Sequence, residues 1–215
     1  SRIDRLNEAG VTGGAPGKCG DQQRFSASTR SATSSVRQKR YDDTIDPSTG
    51  AGTLVSTLTR PFLGGRGSGL DFTPKADRLR LVSENGQNLR VNVEIGATAV
   101  DGTLAYAPAD RHYGARPTIA AVAYTNNIAG ALTTEMYDLD AALDALVRQE
   151  PPNDGILLTV GPLGVDVPPQ AGFEIVTDTE GKDTAIAAFG ATLYRVDLAT
   201  GAATSLGAIG GAPGP

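Results

Sequence analysis

Few side chains in this sequence could do covalent or metal chemistry, and their spacing matches no common catalytic pattern. His112, in DRHYG, is the single histidine. A Ser–His–Asp triad needs a base held against a nucleophile, and the Gly-x-Ser-x-Gly elbow that would present a serine does not occur. His112 therefore reads as a loop residue. Cys19 is the only cysteine, so neither an internal disulfide nor a thiolate metal cage can form. Metal binding is left to oxygen ligands, which suit calcium. Asp138 with Asp140, Asp71 with Asp77, and DTEGKD (178–183) are the acidic groupings that could supply them, although an EF-hand loop is absent. The same residues also build polar turns. Calcium is the one cofactor left open.

Hydrogen-bonding recognition is the second chemistry on offer. Tyr124, Thr125, Asn126 and Asn127 form a polar run at the end of the apolar stretch IAAVAY. Adjacent amides donate and accept, which suits a sugar or a peptide, and they close tight turns equally well. Glu84, Asn85, Gly86, Gln87 and Asn88 read as an Asn-Gly turn first and a ligand contact second. Asp71, Asn126 and Glu174 start or follow strands at corresponding points of a repeat, so they could converge from different copies. Asp71, Tyr124, Asn126, Asn127 and Glu174 are therefore the candidate ligand-binding residues. No catalytic or metal-ligating residue is assigned. Gly64, Gly65, Gly67 and Gly69 do not make a phosphate loop, because no Gly-Lys-Ser/Thr follows and no helix pattern opens there.

The elements that must position these residues are short and turn-rich. The 215 residues include 27 Gly and 13 Pro, well above the roughly 12 % usual for the two together. From Tyr41 onward the sequence repeats. IDPSTGAGTLVSTL (45–58) returns as RVNVEIGATAVDGTL (90–104) and as RVDLATGAATSLGAI (195–209), with a degenerate copy in YDLDAALDALVRQ (137–149). The anchor is an Asp or Asn followed four residues later by Gly: Asp46/Gly50, Asn92/Gly96 and Asp197/Gly201, with Asp140/Asp144 in the degenerate copy. The anchoring side chain can accept a downstream N–H, and Gly supplies the positive φ that closes the bend. LYRV (193–196) and ATSL (203–206) flank one such bend as short strands. GLDFTPKADRLRLVS (69–83) and GFEIVTDTEGKDTAIAAF (172–189) each read as two more strands, with Phe72 and Phe173 at matching core positions. Two hairpins make a four-stranded unit, and spacings of about 40–50 residues are those of propeller blades.

One stretch pulls the other way. Leu139, Ala142, Leu143, Leu146 and Val147 fall at helical spacing. The repeat register predicts instead strand, turn at 140–144 and strand, with ILLTVG (156–161) as an added strand after the PPNDG turn. The expected fold is all-β: a propeller-like repeat of four-stranded antiparallel blades, incomplete or open, because GAIGGAPGP stops where a closing strand would begin.

Charge divides the chain near Tyr41. Residues 1–40 carry eight Lys/Arg against three Asp/Glu, and the remainder eleven against twenty-one. The first part has little to bury and is expected to be a loosely held basic extension; residues 41–215 form the repeat domain. An acidic body repels phosphate backbones, so nucleic acid is not an expected partner. No apolar run reaches the ~18 residues of a membrane-spanning helix. The opening residues carry no apolar leader, so a signal peptide is expected to be absent or already removed.

The runs RLRLVSENGQNLRVN, TAVDGTLAY, AAVAYTNNIAG, MYDLD, LVRQEPPNDG, TVGPLGVDV and YRVDLATGAAT resemble the bacterial domain-of-unknown-function family 4394, over about residues 43–209. The resemblance implies a propeller-like fold in proteins that are usually exported, hence an extracytoplasmic location, and implies no reaction. The leading functional reading is a non-catalytic domain presenting loops to a glycan, peptide or surface protein. The others are a propeller-type hydrolase or lactonase with a metal in the axial pocket, and a fragment with no function of its own.

Overall fold

The computed structural model describes residues 39–46, 48–128 and 131–210. The basic extension expected over residues 1–40 lies outside these, apart from Lys39 and Arg40, which open the first strand. The described chain is all-β, with one short 3₁₀ turn at Pro152–Asp154 and no α-helix. β1 (Lys39–Ile45) and β2 (Gly52–Phe62) pair as a hairpin. β3 (Ser68–Thr73), β4 (Arg78–Ser83), β5 (Asn88–Asn92) and β6 (Ala97–Val100) form a second sheet in chain order. β7 (Ala105–Tyr106) precedes a third sheet of β8 (Ile119–Tyr124), β9 (Met136–Asp140), β10 (Ala145–Gln149) and β11 (Ile156–Pro162), and joins its edge parallel to β11. β12 (Ala171–Thr177), β13 (Asp183–Phe189), β14 (Thr192–Val196) and β15 (Ala203–Ala208) form the fourth. Among the described residues all pairings but β7 with β11 are antiparallel.

The repeated turns close as their chemistry dictates. Asp46, Asn92, Asp140 and Asp197 each accept, through Oδ1, the N–H two residues on, at 2.8, 3.1, 2.8 and 2.8 Å. Gly50, Gly96 and Gly201 return an N–H to the anchor's carbonyl at 2.7–2.8 Å, with φ of 72°, 68° and 83°. Asn92 and Asp197 both lie between the third and fourth strands of their sheets, and Asp46 joins β1 to β2. The helical spacing in YDLDAALDALVRQ gives way to β9, turn and β10, with ILLTVG as β11. Its position differs from the other copies: this turn joins the second and third strands of its sheet, and β11 supplies the fourth. Asp144 stands in the left-handed region (φ 48°) where the other copies have Gly. Its side chain earns that strain by accepting the Val167 N–H at 2.8 Å, a contact Gly cannot make.

Each sheet hides a face against the next. Leu58 and Phe62 of β2 pack on Leu79, Leu81, Leu89 and Val91 of the second sheet. Val82 of the second sheet meets Val122, Met136, Val147 and Leu157 of the third. Ala121, Ala123, Leu139 and Leu146 of the third meet Ile175, Ala185, Ala187 and Phe189 of the fourth. β8 is buried on both faces, which is why IAAVAY is apolar throughout and does not alternate. The first strands of the three large sheets are neighbours, β8 packing against β3 on one side and β12 on the other. Phe72 and Phe173 are half-buried against the cores, as their repeat positions predict.

Gly50 and Gly96 separate the cost of a left-handed backbone from that of crowding. Around Gly50 nothing lies near a Cβ, whereas at Gly96 a Cβ would run into the Thr57 carbonyl oxygen. Gly50→Ala is expected to cost about 1 kcal/mol, from conformation alone. Gly96→Ala should cost roughly 3 kcal/mol, since overpacking adds to it; urea unfolding of the two variants measures the difference.

Candidate functional site

Three strands position the candidate residues, and two glycines let them come together. A Cβ on Gly69 of β3 would sit 2.6 Å from the Val122 amide nitrogen of β8, and one on Gly67 would sit 3.0 Å from the Pro169 carbonyl and 3.2 Å from that of Ile119. Gly67 and Gly69 thus serve close backbone approach. Two residues on, Asp71 accepts the Tyr124 N–H through Oδ2 and the Phe72 N–H through Oδ1, both at 2.7 Å. On β12, Glu174 makes the matching local bond, its Oε1 accepting the Ile175 N–H at 3.1 Å.

The Asp71 carboxyl feels the Glu174 charge. Burial first, and the nearby Glu174 charge second, raise the Asp71 pKa to about 7 against the opposing pull of the two N–H donors. Glu174 is exposed over its length, yet loss of water around the carboxyl also raises its pKa, against the Ile175 N–H. Tyr124 is buried, and its hydroxyl accepts the Arg80 Nε–H at 3.2 Å. Asp71, Tyr124 and Glu174 therefore form one neighbourhood.

Asn126 and Asn127 face the other sheet. The Asn126 N–H reaches Asp183 Oδ1 at 3.0 Å and the Asn127 N–H reaches Thr177 Oγ1 at 2.7 Å, tying the end of β8 to β12 and β13. Asn126 has φ 54°, and its amide donates to the Thr133 carbonyl at 2.8 Å, closing its own loop. The turn function takes the Asn126 side chain. Asn127 stays exposed. In the 84–88 run, Asn85 Oδ1 accepts the Gln87 N–H and Gly86 has φ 83°, while Glu84 accepts the Arg66 and Gly67 N–H groups. That segment is a turn which also pins the approach to β3.

His112 lies in a loop, as its sequence setting predicts. Its Nδ1 is 2.9 Å from Thr159 Oγ1, whose hydroxyl donates to Asp110 Oδ1 at 2.8 Å. With that proton committed, Nδ1 must be the donor. The arrangement fastens the loop to β11. Of the acids considered for calcium, three spend their oxygens on the fold: Asp140 on Tyr106, Thr118 and Ala142, Asp178 on Glu180 and Lys182, Asp183 on Asn126 and Thr177. Among the described residues no group of three or more His, Cys, Asp or Glu is arranged to hold a metal.

A buried polar cluster beside this site escaped the sequence reading. Arg80, 2 % exposed, donates to Tyr124 Oη, Asn88 Oδ1, Asp101 Oδ2 and Asn153 Oδ1. Asp101 is shared with Arg90. Its signal was the alternation Arg78-Leu-Arg80-Leu, which puts both arginines on the face opposite Leu79 and Leu81; period two alone does not reveal that a sheet covers that face.

Residues 36–213 match the family described as "Domain of unknown function (DUF4394)". The chain belongs to that family. The match takes in β1 to β15 entire and reaches further at each end than the motifs alone indicated. No curated protein matches this DUF4394 domain.

A carboxyl whose pKa is raised on folding holds its proton in the native state while the unfolded chain has lost it. Asp71 should therefore lower the stability of the DUF4394 domain as pH rises from about 4 toward 7, and add no further slope above that. Asp71→Asn is expected to flatten this part of the profile. Chemical denaturation at several pH values checks it; an unchanged slope would refute the burial-plus-Glu174 explanation.

Proposed function

We propose that this DUF4394 domain is a non-catalytic, exported binding domain of open β-propeller type, whose ligand sits on the inner strands at Asp71 and Glu174. The propeller reading is supported by three successive antiparallel sheets of four strands, plus β7, whose first strands β3, β8 and β12 are neighbours. Blades around an axis have that order. The hairpin β1–β2, packed on the second sheet, corresponds to the outer half of a preceding blade. The family resemblance supports export, and a single cysteine suits an oxidising compartment.

The binding reading is carried by one observation: two carboxyls from different sheets are close enough that one raises the other's pKa. Such a pair gains from a ligand that brings hydrogen-bond donors or positive charge, as a glycan's hydroxyls or a basic peptide side chain would. The acidic body favours the same ligands and disfavours nucleic acid. A hydrolase would use the same pair, since a carboxyl titrating near neutrality suits general base catalysis. That reading has less support, because the Asn126 amide expected to join the pair is bonded to the Thr133 carbonyl.

Calorimetric titration with neutral and sulfated glycans and with basic peptides tests the proposal. A ligand should bind above pH 7 and weaken below it as Asp71 takes up its proton. Asp71→Asn and Glu174→Gln should each cost about tenfold in affinity, or about 1.4 kcal/mol. Binding indifferent to both substitutions, or no binding across the panel, contradicts it.

A further inference from the structure

Between the second and third sheets lies a group of polar atoms that do not satisfy one another. Asp138, in the middle of β9, is 0 % exposed, and among the described residues both its carboxyl oxygens lack a hydrogen-bond partner. Gln149 on β10 is 1 % exposed, and its Oε1 likewise lacks one. The two residues share a sheet face, because Asp138 pairs with Val147 and Gln149 stands two residues further along. Tyr124 belongs to the same face through β8, where Val122 pairs with Asp138 and Tyr124 with Met136.

Donors face these acceptors. The Tyr124 hydroxyl accepts from Arg80, and among the described residues its own proton has no acceptor. Arg80 makes four hydrogen bonds with five N–H groups to spend. Gln149 connects to Arg80 through shared atoms: its Nε2 donates at 2.6 Å to the Pro152 carbonyl, which also accepts from Asn88 Nδ2, and Asn88 Oδ1 accepts from Arg80. The Arg80 charge is felt at Asp138, as is that of Asp140, whose Oδ2 is bonded to the Tyr106 hydroxyl. Buried acceptors and buried donors left unpaired side by side are each costly, and one kind of occupant relieves both.

We infer that ordered water occupies an enclosed site between the second and third sheets, accepting from Tyr124 Oη and Arg80 and donating to Asp138 and Gln149 Oε1. A metal cation would take the oxygens but face the Arg80 guanidinium. An anion would take the donors but face Asp138 and Asp140. Water donates and accepts at once, and two to four polar partners are what a buried water requires. The site links β4 of the second sheet to β8, β9 and β10 of the third, independently of any ligand at Asp71 and Glu174.

A crystal structure of the intact domain at a resolution that shows ordered water, combined with ¹⁷O relaxation dispersion in solution, tests this. At least one water should bridge Asp138 or Gln149 Oε1 to Tyr124 or Arg80, and exchange slowly enough to appear in the dispersion. Gln149→Leu should lower the dispersion amplitude by one long-lived water, whereas Asp138→Asn, which keeps an acceptor oxygen, should retain it. If Gln149→Leu does not fold, Tyr124→Phe provides the same loss by removing a donor. A dry site with Asp138 bonded directly to Tyr124 or Arg80, a metal ion in the water's place, or an amplitude unchanged in the variants would overturn the inference.

Discussion

The backbone of β3 lies directly on that of β8, and Gly69 is where this becomes a constraint. Any side chain there would press on the Val122 amide. That contact sets the spacing between the second and third sheets and brings the Asp71 carboxylate within 2.7 Å of the Tyr124 N–H. β8, covered on both faces, then carries β12 on its far side. The chain therefore assembles as successive sheets meeting along their first strands, and each sheet depends on the next to cover its apolar face. A four-stranded sheet of this length would leave one face wet if it stood alone.

The interfaces are not alike. Between β2 and the second sheet, and between the third and fourth sheets, the cores are almost wholly aliphatic and aromatic. Between the second and third sheets an apolar half centred on Val82, Val122 and Leu157 adjoins a polar half centred on Arg80. Arginine suits such a position because its planar fork can satisfy several fixed acceptors without losing its charge. Leaving any one acceptor buried and alone would cost more than the pairing gains. The polar half thus fixes orientation between the sheets, and the apolar half supplies most of the cohesion.

The local units were legible in the sequence because their chemistry is local. Asp46, Asn92 and Asp197 close hairpin bends with the glycines four residues on, and 69–83 and 172–189 each form two strands and a turn. The repeat also outweighed the helical spacing around Leu139, since both faces of β9 are covered and periodicity has no exposed side to report. What was not legible depends on which sheets face each other. The Asp140 turn falls one hairpin earlier in its sheet than its sequence resemblance suggests. Arg80 and Asp138, which alternation would put in solvent, are enclosed. Asp71 and Glu174 could be named from their repeat positions, but their proximity, and the use of Asn126 within its own loop, are properties of the packed sheets.

β3 and β12 flank β8 closely enough for the Asp71 carboxyl to feel the Glu174 charge. A ¹³C NMR titration of the Asp71 carboxyl, in the native chain and in Glu174→Gln, measures that directly. The midpoint should lie near 7 in the native chain and lower once the Glu174 charge is removed. An Asp71 midpoint at the ordinary carboxylate value, unmoved by the substitution, would contradict the arrangement of the three inner strands.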